Sequence, residues 1–138
     1  MTSWTKIVVA AVAPFAVLTV NPAFAQMALP DKCKVDVPAG QAMQMPKMQM
    51  GDMAEHQKAM MEGMREMNPA MMQGMMAKDP DVAFMCGMIA HHMGAISMSE
   101  VELKFGDDAE AKSMAEKIID AQKKEIEEMA TWVSEHAQ

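Results

Sequence analysis

Seventeen of the 21 methionines in this 138-residue chain lie between Met43 and Met98. No other feature restricts the fold as strongly, because aromatic residues and leucine are few. Beyond residue 25 the only aromatic residues are Phe84, Phe105 and Trp132, and leucine is scarce. Methionine, whose side chain is flexible, polarisable and able to fill irregular gaps, is expected to take their place in part of the core. No segment alternates apolar and polar residues with period two, so no sheet is expected.

The first 25 residues read as a cleaved signal peptide. Lys6 supplies the positive start, residues 7–20 the apolar run, and Ala23-Phe24-Ala25 the small-residue cleavage site. The run is short for a membrane anchor and is interrupted by Pro14. No later stretch reads as apolar enough to span a bilayer, so the mature chain is expected in a periplasm, not inserted in a membrane. Its charge after cleavage is 11 − 19 = −8. An acidic chain with no basic cluster disfavours nucleic acid and anionic membranes as partners and is compatible with cations.

Residues 26–51 contain Pro30, Pro38, Gly40, Pro46 and Gly51, too many breakers for a useful helix. They read as a flexible, methionine-rich arm carrying MQMPKMQM, with Met43, Met45, Met48 and Met50. The domain proper is expected over 52–138. A helix capped by Asp52 should run to Asn68, with Met53, Met60, Met64 and Met67 in one stripe and His56 at its border. Asn68-Pro69 reads as a stop and restart, leaving a short piece over 69–77. Asp79-Pro80 starts a helix to Phe105, closed by Gly106. Asp107 should cap the last helix, with Glu110 as capping-box partner, and the short connection implies an antiparallel hairpin. The result is an all-α, up-down helical bundle.

The segment FMCGMIAHHMGAISM, residues 84–98, carries the most chemistry. At about 100° per residue, Met85, Met88 and His92 share one face, with His91 and Met98 beside it. Ala83, Gly87, Ala90, Gly94 and Ser97 line another side, and helical glycines at about 1 kcal/mol each imply close approach of a neighbouring helix. In the last helix, Glu125 interrupts an apolar stripe of Ala111, Met114, Ile118, Ala121, Met129, Trp132 and Val133. A carboxylate there needs a partner, and His91 or His92 is expected to supply one, directly or through a shared metal. Cys33 and Cys86 either pair in a disulfide or contribute thiolate to a soft-metal site.

Thioether sulfur is soft and suits Cu(I) and Ag(I), not Mg, Ca or Mn. Paired-cysteine spacing for structural zinc is absent from the sequence, as are Glu-x-x-His pairs for a di-iron bundle. Core filling explains many of the methionines but not Met43, Met45, Met48 and Met50, which sit among too few apolar residues to fold. Soft-metal binding by a subset is therefore the favoured reading.

The stretches MI-x-HH-x-x-AI-x-M, at Met88 to Met98, and A-x-x-II-x-x-Q-x-x-EI-x-x-M-x-x-W, at Ala115 to Trp132, resemble the CopM-like family of exported ferritin-like helical proteins, long catalogued as a domain of unknown function. The resemblance covers roughly residues 80–135 and implies a ferritin-like antiparallel bundle, export, and binding of copper(I) and silver(I) with metal tolerance. By position it implies Met85, Met88, His91, His92 and Glu125 as the helical site. Cys86 falls inside the FMCGMIAHHMGAISM segment, two residues ahead of the first motif, at a position that is not part of the family pattern.

The expectation is a copper-buffering, copper-transfer or copper-resistance protein rather than an enzyme. Met43, Met45, Met48, Met50, His56 and Met60 would be additional ligands, and a periplasmic copper pump or multicopper oxidase would be a partner. A metal-free, methionine-lined interaction module and a Cu(I) oxidase are the alternatives.

Overall fold

In a computed structural model, residues 28–35 and 51–137 are described. The expected signal peptide and the arm methionines Met43, Met45, Met48 and Met50 lie outside them. Among the described residues the chain forms a short 3-10 turn at Asp31–Cys33 and three α-helices, with no strand. The helices are α1 (Glu55–Met75), α2 (Pro80–Phe105) and α3 (Ala109–His136).

The helix starts follow local hydrogen bonding. The Asp79 carboxylate accepts from the backbone N–H groups of Asp81 and Val82 at 2.9 and 3.0 Å, with Pro80 at the first helical position. This is the start expected from sequence. At α3 the cap is Asp108, which accepts from Ala111 N–H at 2.8 Å, one residue later than expected. At α1 the expected Asp52 cap is replaced by Ala54, whose backbone N–H donates to the Gln57 side chain at 2.9 Å. Gly106 ends α2 as expected, but at φ −70° it is not left-handed. It is small for another reason: a Cβ there would lie 2.7 Å from the Glu102 carbonyl oxygen.

The break expected at Asn68-Pro69 does not occur, and α1 continues through Pro69. A proline inside a helix costs about 3 kcal/mol, so packing has to outweigh it. Two glycines bracket Pro69 and seat α1 on α2. A Cβ on Gly63 would lie 3.2 Å from Ser97 Cβ, and one on Gly74 would lie 2.7 and 2.8 Å from the Cys86 carbonyl carbon and oxygen. Pro69 itself faces solvent. The small side of α2 does what the sequence implies, with Met67 laid over Gly94 and Met75 over Gly87. Gly74→Ala forces a methyl into backbone, which cannot swing aside. Overpacking of this kind costs about 1–3 kcal/mol, and chemical denaturation of the variant should read a loss of that size.

The central element is α2, packed along α1 on one side and α3 on the other, while α1 and α3 make almost no direct contact among the described residues. Its buried positions accordingly spread around the helix: Val82, Cys86, Ile89, Ala90, His92, Ile96, Ser99 and Val101. That distribution corrects one expectation, since α2 is by length and composition apolar enough to cross a membrane. In the fold half of the relevant window is buried between its neighbours.

Glu100 stands on α2 near Lys123 of α3, and partial burial raises its carboxyl pKa more than the lysine lowers it. The folded state therefore holds that proton more tightly than the unfolded chain does. Its contribution to stability is present at acidic pH and is lost as pH rises through the raised value. Thermal melts across this range should show the slope, and Glu100→Gln should flatten it.

Within the stretch read as an extended arm, residues 28–35 fold back onto the bundle. Leu29 and Cys33 are buried, and Cys33 is joined to Cys86 by a disulfide with the Cα atoms 5.4 Å apart. The alternative of a cysteine thiolate as metal ligand is thereby removed. Lys32 donates to the Ala137 carbonyl and Gln73 to the Val35 carbonyl at 3.0 Å, so the segment touches the C-terminal ends of both α1 and α3.

Candidate metal centre

Because α2 is flanked rather than enclosed, one stripe along it stays uncovered. Phe84, Met88, His91 and Met98 recur at intervals of four, three and seven residues, which is one helical face. Phe84 and Met98 are 62% and 53% exposed, and His91 is exposed. Beside the upper part of this stripe runs α1. There Met71 and Met75 face Ala83, Phe84, Gly87, Met88 and His91 across an open groove of about 350 Å³. Gly87 permits the approach, since a Cβ on it would lie 2.9 Å from Met75 Cγ. Three thioethers and one imidazole thus line a single apolar groove.

The expected helical site is divided by this geometry. Met88 and His91 line the groove toward α1. His92, only 8% exposed, turns instead toward α3, where its Nε2–H donates to Glu125 Oε2 at 2.6 Å. A carboxylate oxygen can only accept, so the ring proton sits on Nε2. The two imidazole centroids are 5.9 Å apart and edge-on. Met85 is half-buried and packs against the core. Glu125 meets its expected partner, but from the rim of the bundle: its side chain is 51% exposed rather than sunk in an apolar stripe. The Gln122 amide approaches the same carboxylate at 3.5 Å, a marginal distance.

His92 Nδ1 is buried and has no hydrogen-bond partner. In the neutral ring, with its proton on Nε2, Nδ1 presents a bare lone pair, and an unsatisfied buried acceptor costs about 1–3 kcal/mol. A carboxylate holding one imidazole nitrogen while the other is a free donor is the arrangement that orients histidines toward metals. Among the described residues no three His, Cys, Asp or Glu side chains come together. The donors gathered here are therefore chiefly sulfur, with imidazole added, a set matched to soft monovalent ions.

His56 is exposed in the first turn of α1 and Met60 half-buried one turn later. They stand about 16–29 Å along the helix from Met71 and Met75, at about 1.5 Å per residue, so the structure does not bring them to the groove. His136 is also elsewhere, stacked on Trp132 with ring centroids 4.3 Å apart.

Met71 and Met75 are the residues that sequence reasoning missed. Their signal was present: Met60, Met64, Met67, Met71 and Met75 continue one helical stripe straight through Pro69. Treating the proline as a break cut that stripe in two. Gly87→Ala tests the construction of the groove, since the added methyl displaces Met75 through a flexible side chain and not through backbone. The helix should survive, with circular dichroism unchanged, while soft-metal affinity falls.

The family described as Domain of unknown function (DUF305) matches residues 23–133. No curated protein matches the chain.

Proposed function

The chain belongs to the DUF305 family, and from that premise we propose that it is an exported soft-metal-binding protein that takes Cu(I), and Ag(I) by the same chemistry. The observation that carries this reading is the convergence of Met71, Met75, Met88 and His91 on one groove. Neutral thioethers hold Cu(I) without competition from Mg, Ca or zinc, which prefer oxygen, thiolate or several imidazoles. An open groove suits an ion that is loaded and released, so buffering or transfer to a copper pump or multicopper oxidase fits better than turnover. Within its family we place the chain with the CopM-like members, on the motifs at Met88 to Met98 and Ala115 to Trp132.

His92 and Glu125 form the neighbouring half of the proposed centre, with Nδ1 of His92 as donor and the carboxylate as its orienting group. Export to a periplasm is supported by the Cys33–Cys86 disulfide, a bond that persists in oxidising compartments. The N-terminal 25 residues, read as a signal peptide, agree with that location.

Titration of the full chain with Cu(I) against a weak chromogenic Cu(I) chelator, under anaerobic reducing conditions, tests the reading. The chain is expected to withdraw Cu(I) from the chelator, and failure to do so would reject the function. A second reading has one observation in its favour: Phe84 is 62% exposed at the rim of the same groove. An exposed aromatic beside methionines is also how adaptable protein-docking surfaces are built. Methionine-to-leucine changes at Met71, Met75 and Met88 separate the two, because docking tolerates a side chain of similar volume and copper binding does not.

A further inference from the structure

We infer that Met75 is an oxidation switch on the groove: conversion of its thioether to the sulfoxide expels the soft metal, and bound metal shields the sulfur from oxidation. The inference rests on the soft-metal reading and adds its regulation.

Met75 differs from the other sulfurs in the groove. It is 55% exposed, whereas Met71 and Met88 are half-buried. Its position is also constructed. Gly87 offers bare backbone, on which a Cβ would lie 2.9 Å from Met75 Cγ and 3.9 Å from Sδ. The side chain is therefore laid against α2 at its middle while remaining open to solvent. Thioether oxidation follows exposure, so Met75 is the groove sulfur an oxidant reaches first.

The chemistry makes metal and oxidant compete for the electron density of one sulfur atom. In the oxidation, the sulfur lone pair attacks the electrophilic oxygen of a hydroperoxide such as hydrogen peroxide. An S–O bond forms, the O–O bond breaks, sulfur loses two electrons, and the peroxide is reduced to water. Cu(I) or Ag(I) would accept a lone pair of that sulfur, and the bound ion would draw electron density from it and block the approach of the oxidant. In the sulfoxide the lone pair left on sulfur is a weak donor, and the outward donor is a hard oxygen, poorly matched to either ion. Thiols, which would intercept the oxidant sooner, are absent, because both cysteines of the chain are already joined in the disulfide. Sulfoxide reductases reverse the change, so the device resets.

Met98 and Met114 serve as internal controls, at 53% and 56% exposed and outside the groove lining. The test exposes the full chain to limiting hydrogen peroxide with and without Ag(I), a soft ion with no redox cycle here, and follows sulfoxide at each methionine by peptide mass spectrometry. Without Ag(I), Met75, Met98 and Met114 should oxidise at similar rates. With Ag(I), Met75 should slow at least about tenfold while Met98 and Met114 keep their rates. The sulfoxide-like Met75→Gln should lower Ag(I) affinity at least about tenfold, a typical response of a metal site to a lost group, and Met114→Gln should not. Since residue 75 is exposed, both variants should melt like the parent. Uniform protection, no protection, or unchanged affinity in Met75→Gln would overturn the inference while leaving metal binding intact. An unmodified chain that fails to bind Ag(I) would overturn both.

Discussion

Replacing Met71, Met75 and Met88 together with leucine is expected to leave a folded chain that no longer withdraws Cu(I) from a competing chelator. Leucine and methionine are close in volume, and such swaps in a core usually cost less than about 1.5 kcal/mol. Here the cost should be smaller still, because the three side chains line an open groove rather than the interior. What the substitution removes is every thioether that α1 and α2 bring to that groove, leaving His91 alone on the rim. One imidazole makes a weak site for a soft ion. Loss of most of the affinity, by two orders of magnitude or more on the scale of about 1.4 kcal/mol per decade, is therefore expected, alongside an unchanged helical spectrum. The same substitutions at Met64, Met98 and Met114, which are exposed and lie outside the groove, should leave Cu(I) binding unaltered.

The largest expected effect on stability comes from the disulfide. Cys33 and Cys86 close a loop spanning 53 residues. Loop-closure entropy for a crosslink of that size corresponds to about 4 kcal/mol, a large share of the 5–15 kcal/mol that typically holds a small domain together. Cys33→Ser with Cys86→Ser should thus lower the unfolding free energy by roughly that amount in urea titration. The loss extends beyond entropy. Both sulfurs are fully buried, and Cys86 is the residue against which Gly74 seats α1. Reduction of the parent by a strong dithiol should reproduce the loss, and a chain of unchanged stability after reduction would refute this account of the fold. The consequence for the groove is indirect, since Met71 and Met75 belong to the final turns of α1, the region that contact anchors.

Much of this architecture was legible in the sequence, and the misreadings have identifiable causes. The start of α2 at Asp79-Pro80 is a local hydrogen-bonding matter, and local rules found it. The small-residue side of α2 also announced its partner, because glycines in a helix are costly unless another backbone approaches. Pro69 misled because its penalty is local while the compensation is not: Gly63 and Gly74, eleven positions apart, dock on Ser97 and Cys86 of another helix. The same error hid Met71 and Met75, the α1 half of the groove. Glu125 illustrates a different gap. A helical wheel fixes which side a residue faces but not how far the neighbouring helix extends over it. The need for a partner was therefore readable, whereas the rim position was not. His91 and His92 are adjacent in sequence and so about 100° apart on the helix. Whether they would act together depended on the placement of α1 and α3 around α2, which no local pattern specifies.

Methyl NMR of the chain carrying isotope-labelled methionine, followed while Ag(I) is added, tests the central claim most directly. Each thioether methyl reports whether its own sulfur is engaged. The signals of Met71, Met75 and Met88 are expected to shift together and saturate together, accompanied by the ring signals of His91, while Met64, Met98 and Met114 stay in place. Shifts confined to Met64, Met98 and Met114, or spread evenly over every exposed methionine, would contradict a soft-metal centre in the groove between α1 and α2.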